Sequence, residues 1–261
     1  MKRHRILKLS TIMAIMMLLF AGVSEPVFAK TTPSFLSVTK IHTKKAAKKY
    51  KAKIAKSYNL SYGYQTGFTK TNRIAIYDAT HSTAMNLSLN RAISDWNAKL
   101  GREVFYQGTA KKHTITLKFT TPPSTATPSG VAWWISKSRH INVSKPYFNG
   151  ELLDITKLMK HNYLNSSYQE LPIDQANTMI DTELAGSARI VEFSRILDHE
   201  MGHALGMKHS KNSHNLMYKG VGYGDIYQFD DVYHGRLNVN LITKNDLARA
   251  KAGIKMYDLL H

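Results

Sequence analysis

The 261-residue chain contains no cysteine. That excludes a disulfide framework, a thiolate metal site, a cysteine nucleophile and lipid attachment through sulfur. Any bound metal must be held by histidine, aspartate or glutamate, and twelve histidines are present. Carboxylates are scarce as well: 18 stand against 36 lysines and arginines, a formal charge of +18. From Lys30 to Arg73 there are none, against eleven basic residues. Long apolar runs are also missing. The run from Ile12 to Val23 is twelve residues, too short to span a bilayer comfortably, and no other stretch approaches the eighteen that a span needs.

What is present at the start reads as a processing signal. Lys2, Arg3, Arg5 and Lys8 precede the apolar run, and Pro26 and Val27-Phe28-Ala29 follow it. This is the layout of a secretory signal peptide over residues 1–29, cut after Ala29, and it predicts an extracellular protein, secreted or retained at the cell surface, without a transmembrane segment when mature. Residues 30–73 form a lysine-rich pro-segment or linker. Residues 44–56 can turn into a helix, but only Tyr50 and Ile54 offer an apolar pair at i,i+4, so the segment is expected to bury little. Two readings stay open for it: a solvated linker, or a polycation that binds an anionic cell-surface polymer through residues 40–56. The remaining residues carry 21 basic and 17 acidic side chains, close to balance.

Order is expected to begin near Ile74. Ile74 to Tyr77 reads as a strand, and Leu89, Ile93, Trp96 and Leu100 recur at the spacing of an amphipathic helix that Gly101 ends. Val104 to Tyr106, Thr114 to Phe119, Val131 to Ile135 and His140 to Val143 read as further strands, the second followed by a proline-rich loop from Thr120 to Gly130. Short helices are expected near Leu152 to Tyr163 and Ile173 to Leu184. A strand, a helix and then several strands give an α+β or α/β class with a mixed sheet over residues 74–261.

The chemistry concentrates in a helical stretch, Arg189 to Leu205, which contains His199-Glu200-Met201-Gly202-His203 and is followed by Gly206 and His209. Histidines at i and i+4 lie on one helical face, within reach of one ion. Glycine at 206 permits the positive φ that ends the helix, so that His209 can return to the same ion. Three imidazoles leave a coordination position for water, the arrangement of catalytic rather than closed structural zinc. Glu200, beside the first ligand, is placed to take the proton of a zinc-bound water, so hydrolysis of peptide bonds is the expected reaction.

The stretch His199 to His209 matches the HExxHxxGxxH pattern, and with Ser210 after it resembles the matrixin branch of the metzincin metalloproteases. The resemblance implies a mixed twisted sheet, an active-site helix, a methionine turn at Met217 and a C-terminal helix, capped here by Thr243 to Asp246. It implies one catalytic zinc on His199, His203 and His209 with Glu200 as general base; calcium is possible but has no support. Several departures are visible. Lys219 stands where matrixins usually have proline, and Tyr218 follows the methionine directly, so it is not assigned as a ligand. Residues 120–150 lack the acidic residues of the family's extra ion sites, and residues 147–188 look like an insertion. His81, His113, His161, His214 and His234 are read as surface or hydrogen-bonded histidines, and Asp225, Asp230 and Asp231 as a solvated acidic loop.

The sequence thus predicts a secreted, monomeric, zinc-dependent endopeptidase acting on protein or peptide substrates, without nucleic-acid binding. Two alternatives remain: a cell-surface or wall-binding protein with a structural zinc site, and a peptidase that cuts wall cross-link peptides.

Overall fold

The computed structural model describes residues 37–121, 131–220, 224–237 and 240–261. The signal-peptide reading of residues 1–29 lies outside them, as does most of the proline-rich loop. Among the described residues no helix is long and apolar enough to cross a membrane.

Five strands form one mixed sheet: β1 (Ile74–Asp78), β2 (Phe105–Gln107), β3 (Ile115–Thr120), β4 (Ala132–Ile135) and β5 (His140–Ser144), in the order β2-β1-β3-β5-β4. All neighbours are parallel except β4, which runs antiparallel to β5 with Trp134 opposite Ile141 and lies at the sheet's edge. Alternate strand residues Ile74, Ile76, Ile115, Leu117, Ile141 and Val143 are buried in the main core. Alternation made β3 legible, whereas β1 and β5 are buried at consecutive positions, as strands covered on both faces are; the α+β class holds.

The helices are α1 (Lys44–Ser57), α2 (Thr83–Leu100), α3 (Lys145–Leu164), α4 (Ile173–Met179), α5 (Ala185–Ala204), α6 (Phe229–Tyr233) and α7 (Lys244–Leu260). In α2 the buried stripe is Met85, Leu89, Ala92 and Trp96, and Gly101 caps the helix in the left-handed region at φ 69°. Helix α5 lies against α2, held by Trp96 Nε1 donating to the Asp198 carbonyl (2.9 Å) and Ser88 Oγ to the Ile190 carbonyl (3.0 Å). Helix α4 runs through a single π turn, Ile180–Leu184, into α5, so the second expected short helix is continuous with the active-site helix. The first, α3, starts seven residues earlier than its apolar pattern suggests, because Ser144 caps it. Helix α3, the π turn and α6 share a second core around Ile155, Met159, Ile180, Leu184 and Phe229.

One expectation is corrected. The chain does not become ordered only at Ile74, and residues 44–56 are not a segment that buries little. Helix α1, capped by Thr43, packs on α7 and buries Ala47 and Ile54 completely. Leu60 and Phe68 are buried after it, and Phe68 stacks on Tyr257 at 4.4 Å. The apolar side of α1 is built from small residues, Ala46 and Ala47, with Tyr50 and Ile54, so its hydrophobic signal is weak although its packing is tight.

Candidate active site

Helix α5 presents His199 and His203 one turn apart and ends at Leu205. Gly206 then takes φ 96°, a conformation costly for other residues, and its N–H donates to the His203 carbonyl at 2.8 Å. The turn brings His209 back: one ring nitrogen from each of the three histidines lies within 4.8 Å of the other two. Among the described residues this is the one group of histidines and carboxylates able to hold a metal ion.

The ring orientations are fixed from behind. His199 Nδ1 is 2.8 Å from the Leu216 carbonyl and His203 Nδ1 is 2.7 Å from the Met207 carbonyl. A carbonyl can only accept, so Nδ1 carries the proton in both rings and Nε2 keeps the lone pair that a metal needs. Burial, the largest influence, together with the neighbouring imidazoles and against the hydrogen bonds to Leu216 and Met207, lowers the His199 pKa to about 4 and that of His203 to about 3. Both rings are neutral at pH 7, the ligating form. The donor set therefore fits a zinc ion.

Glu200 is buried, and burial pushes its pKa up to about 8, partly offset by a hydrogen bond from the Trp134 backbone. Its Oε2 has no hydrogen-bond partner among the described residues. A buried, unsatisfied carboxylate oxygen beside a metal-binding cluster costs stability and persists where function uses it. Trp134 sits on edge strand β4, half-buried, with its indole N–H donating to the Tyr64 carbonyl at 3.1 Å.

Beneath the cluster, Met217 is fully buried, and its sulfur occupies the space that a side chain at Gly202 would need. The loop carrying it is pinned at both ends. Ser210 N–H donates to the Met217 carbonyl (2.7 Å), and Leu216 N–H donates to Asp246 Oδ2 (2.9 Å), which also closes the capping box of α7 with Thr243. The Thr243 to Asp246 cap was legible in the sequence; its tie to the methionine turn was not.

The segment after α1 also contributes, which the sequence did not reveal. Residues 59–61 run beside the third-histidine loop: Ser61 N–H donates to the Gly206 carbonyl (2.7 Å), Lys208 N–H to the Asn59 carbonyl (3.1 Å) and Asn59 Nδ2 to the His209 carbonyl (2.8 Å). Buried Gln65 donates to the carbonyls of Leu205 and Gly253, and Arg249 to those of Asn59 and Lys208. Tyr64 meets the His203 ring edge to face at 5.8 Å.

The other residues singled out lie elsewhere. His214 is exposed, and His234 pairs with Glu170 at 2.7 Å. Asp225 is not simply solvated: buried Arg195 holds it with two hydrogen bonds of 2.8 and 2.6 Å. Farther along α5 two buried glutamates meet. Tyr147 donates to Glu192 and Tyr227 to Glu151, both at 3.1 Å. Burial first, and then the neighbouring Glu151, push the Glu192 pKa up to about 8.

No curated protein and no solved structure matches the chain significantly. The family model of the matrixins matches residues 68–233, which spans the whole sheet, the three histidines and Met217. The chain belongs to the matrixin family of zinc metallopeptidases.

Proposed function

We propose that the protein is a secreted zinc-dependent endopeptidase in which His199, His203 and His209 hold the ion and Glu200 is the general base. The observation that carries this reading is the pairing of three converging imidazoles with a buried carboxylate whose Oε2 is unpartnered. Bound zinc supplies Lewis acidity toward a carbonyl and toward water. Glu200 accepts the proton of the attacking water on Oε2 and returns it to the departing amine. Burial, which raises the proton affinity of Glu200 above that of an ordinary carboxylate, suits both halves of that transfer. The free edge of β4 receives an extended peptide by main-chain pairing, with Trp134 fixing the strand against Tyr64. Export is supported by the signal-like residues 1–29.

The test is Glu200→Gln assayed on a peptide library and on wall fragments in parallel. It should bind zinc like the parent and lose about 100-fold or more in kcat, the general-base contribution. Activity comparable to the parent refutes the mechanism. A parent protein that binds zinc and hydrolyses nothing points instead to a structural metal in a binding protein.

A further inference from the structure

Helix α1 carries a charge pattern that hydrolysis does not use. Lys44, Lys45, Lys48 and Lys49 on its first half and Lys51, Lys53 and Lys56 on its second are all exposed. Among the described residues none of them forms an ion pair with a carboxylate. The only carboxylate outside those residues is Glu25. At 100° per residue the seven lysines occupy an arc of about 200°, opposite the buried arc of Ala47, Tyr50 and Ile54. The helix is ~21 Å long, at 1.5 Å per residue. Several of these lysines are i,i+3 or i,i+4 neighbours, and like charges at that spacing repel. The packing of α1 on α7 and its hydrogen bonds with the chain that follows hold the lysines there against that repulsion.

We propose that the outer face of α1 binds a flexible, linear phosphate-bearing polymer of the cell surface, so that the enzyme is fixed to an anionic matrix through a site separate from its cleft. The breadth of the arc selects a flexible partner. A planar bilayer can touch only a narrow stripe of such a helix, whereas a flexible chain can follow the whole arc; a duplex, whose major groove admits a helix, is the competing partner that the binding measurement separates. None of the large apolar residues exposed on the described surface lies on α1, so nothing there would enter lipid. Its nearest aromatic rings, Tyr50 and Tyr62, are half-buried and covered by Lys49 and Lys51, leaving no open platform for bases.

The site unites the polycation, one of the two readings of the sequence, with a folded helix that adjoins the third-histidine loop through residues 59–61. A polymer held on α1 therefore keeps the cleft close to substrates embedded in the same matrix.

The test measures binding of the zinc-loaded full chain to poly(glycerol phosphate) across a salt series. Duplex DNA and vesicles containing phosphatidylglycerol are offered in parallel. Lys45, Lys49 and Lys56, along the middle of the arc, are changed together to glutamine, and in a second variant to arginine. The glutamine variant should lose at least tenfold in polymer affinity, with a log–log salt slope shallower by about two. The arginine variant should bind like the parent, and both should hydrolyse an uncharged peptide at the parental rate. Unchanged binding by the glutamine variant overturns the proposal, as does tighter binding of the parent to vesicles or to duplex DNA. Because hydrolysis is read separately, failure here leaves the catalytic reading standing.

Discussion

Substituting alanine for Gly202 probes the packing beneath the three histidines. A Cβ there would stand 2.4 Å from Met217 Sδ and 2.8 Å from Met207 Cε, where an unstrained contact needs roughly 3.5–4.0 Å. Both methionines are fully buried and have no solvent to swing into. Two effects oppose each other. Replacing glycine by alanine inside a helix gains about 1 kcal/mol, while overpacking a filled core costs about 1–3 kcal/mol. The single variant should therefore lose up to about 2 kcal/mol, at about 2–4 °C per kcal/mol for a domain of this size. Met217→Ala alone should cost about 2–5 kcal/mol through the cavity it leaves. In that background the Met217 overlap is gone and only the contact with the tip of Met207 remains, so Gly202→Ala should cost less than in the parent and can become stabilising by up to about 1 kcal/mol. The coupling between the two sites equals the relieved overlap, about 1–3 kcal/mol. Urea unfolding of the four proteins at one fixed zinc concentration measures it, since changing metal occupancy would shift every midpoint. Additivity within about 0.5 kcal/mol would show that the Gly202–Met217 contact is not what fixes a glycine at this position.

Four other outcomes are expected. Native Glu192 keeps a proton that the unfolded chain has released between its ordinary value of 4.5 and about 8, so stability should fall as pH rises through that window. Glu192→Gln should reduce that slope, to which buried Glu200 contributes with the same sign, and unfolding midpoints at several pH values would reveal it; an unchanged slope would place the titration elsewhere. Asp246→Ala leaves the Leu216 N–H unsatisfied and breaks the α7 cap, which should cost about 1–3 kcal/mol in a denaturant melt. A chelator should abolish peptide hydrolysis and lower the melting temperature together, and restored zinc should recover both; loss of activity without a thermal shift would mean that the ion does not bind the helix to the following loop. Removing residues 37–66 should abolish hydrolysis as well, because Leu60, Gln65 and the strip beside His209 go with them. A truncated protein with parental activity would contradict the packing described for α1.

The parts of the fold that were legible in the sequence are those whose signal is local. Strand β3 alternates, the other strands are short apolar runs, α2 shows an apolar stripe, and the spacing of His199, His203, Gly206 and His209 follows from the geometry of one helix and one turn. Helix α1 was misread because alanines contribute little to a hydrophobic pattern while seven lysines dominate the composition, and because its partner α7 lies some 190 residues away. The same reason hides the supporting residues. Nothing near Gln65 in the chain announces that it will hold the carbonyls of Leu205 and Gly253, and Tyr64 is an ordinary loop tyrosine until the fold sets it against His203. Their roles are relations between distant segments, which periodicity does not report.

The ties among Gln65, Arg249, Asp246 and the histidine loop also set an order of events. A growing chain that has reached residue 240 already contains all three histidines, Glu200 and Met217, yet it lacks the acceptor for Leu216 N–H and the guanidinium that holds the carbonyls of Asn59 and Lys208. The loop that carries His209 is then held by residues 59–61 but not by α7. On the proposed function, competence to hydrolyse peptides should come last in synthesis, with α7, which would spare the nascent chain from acting on itself.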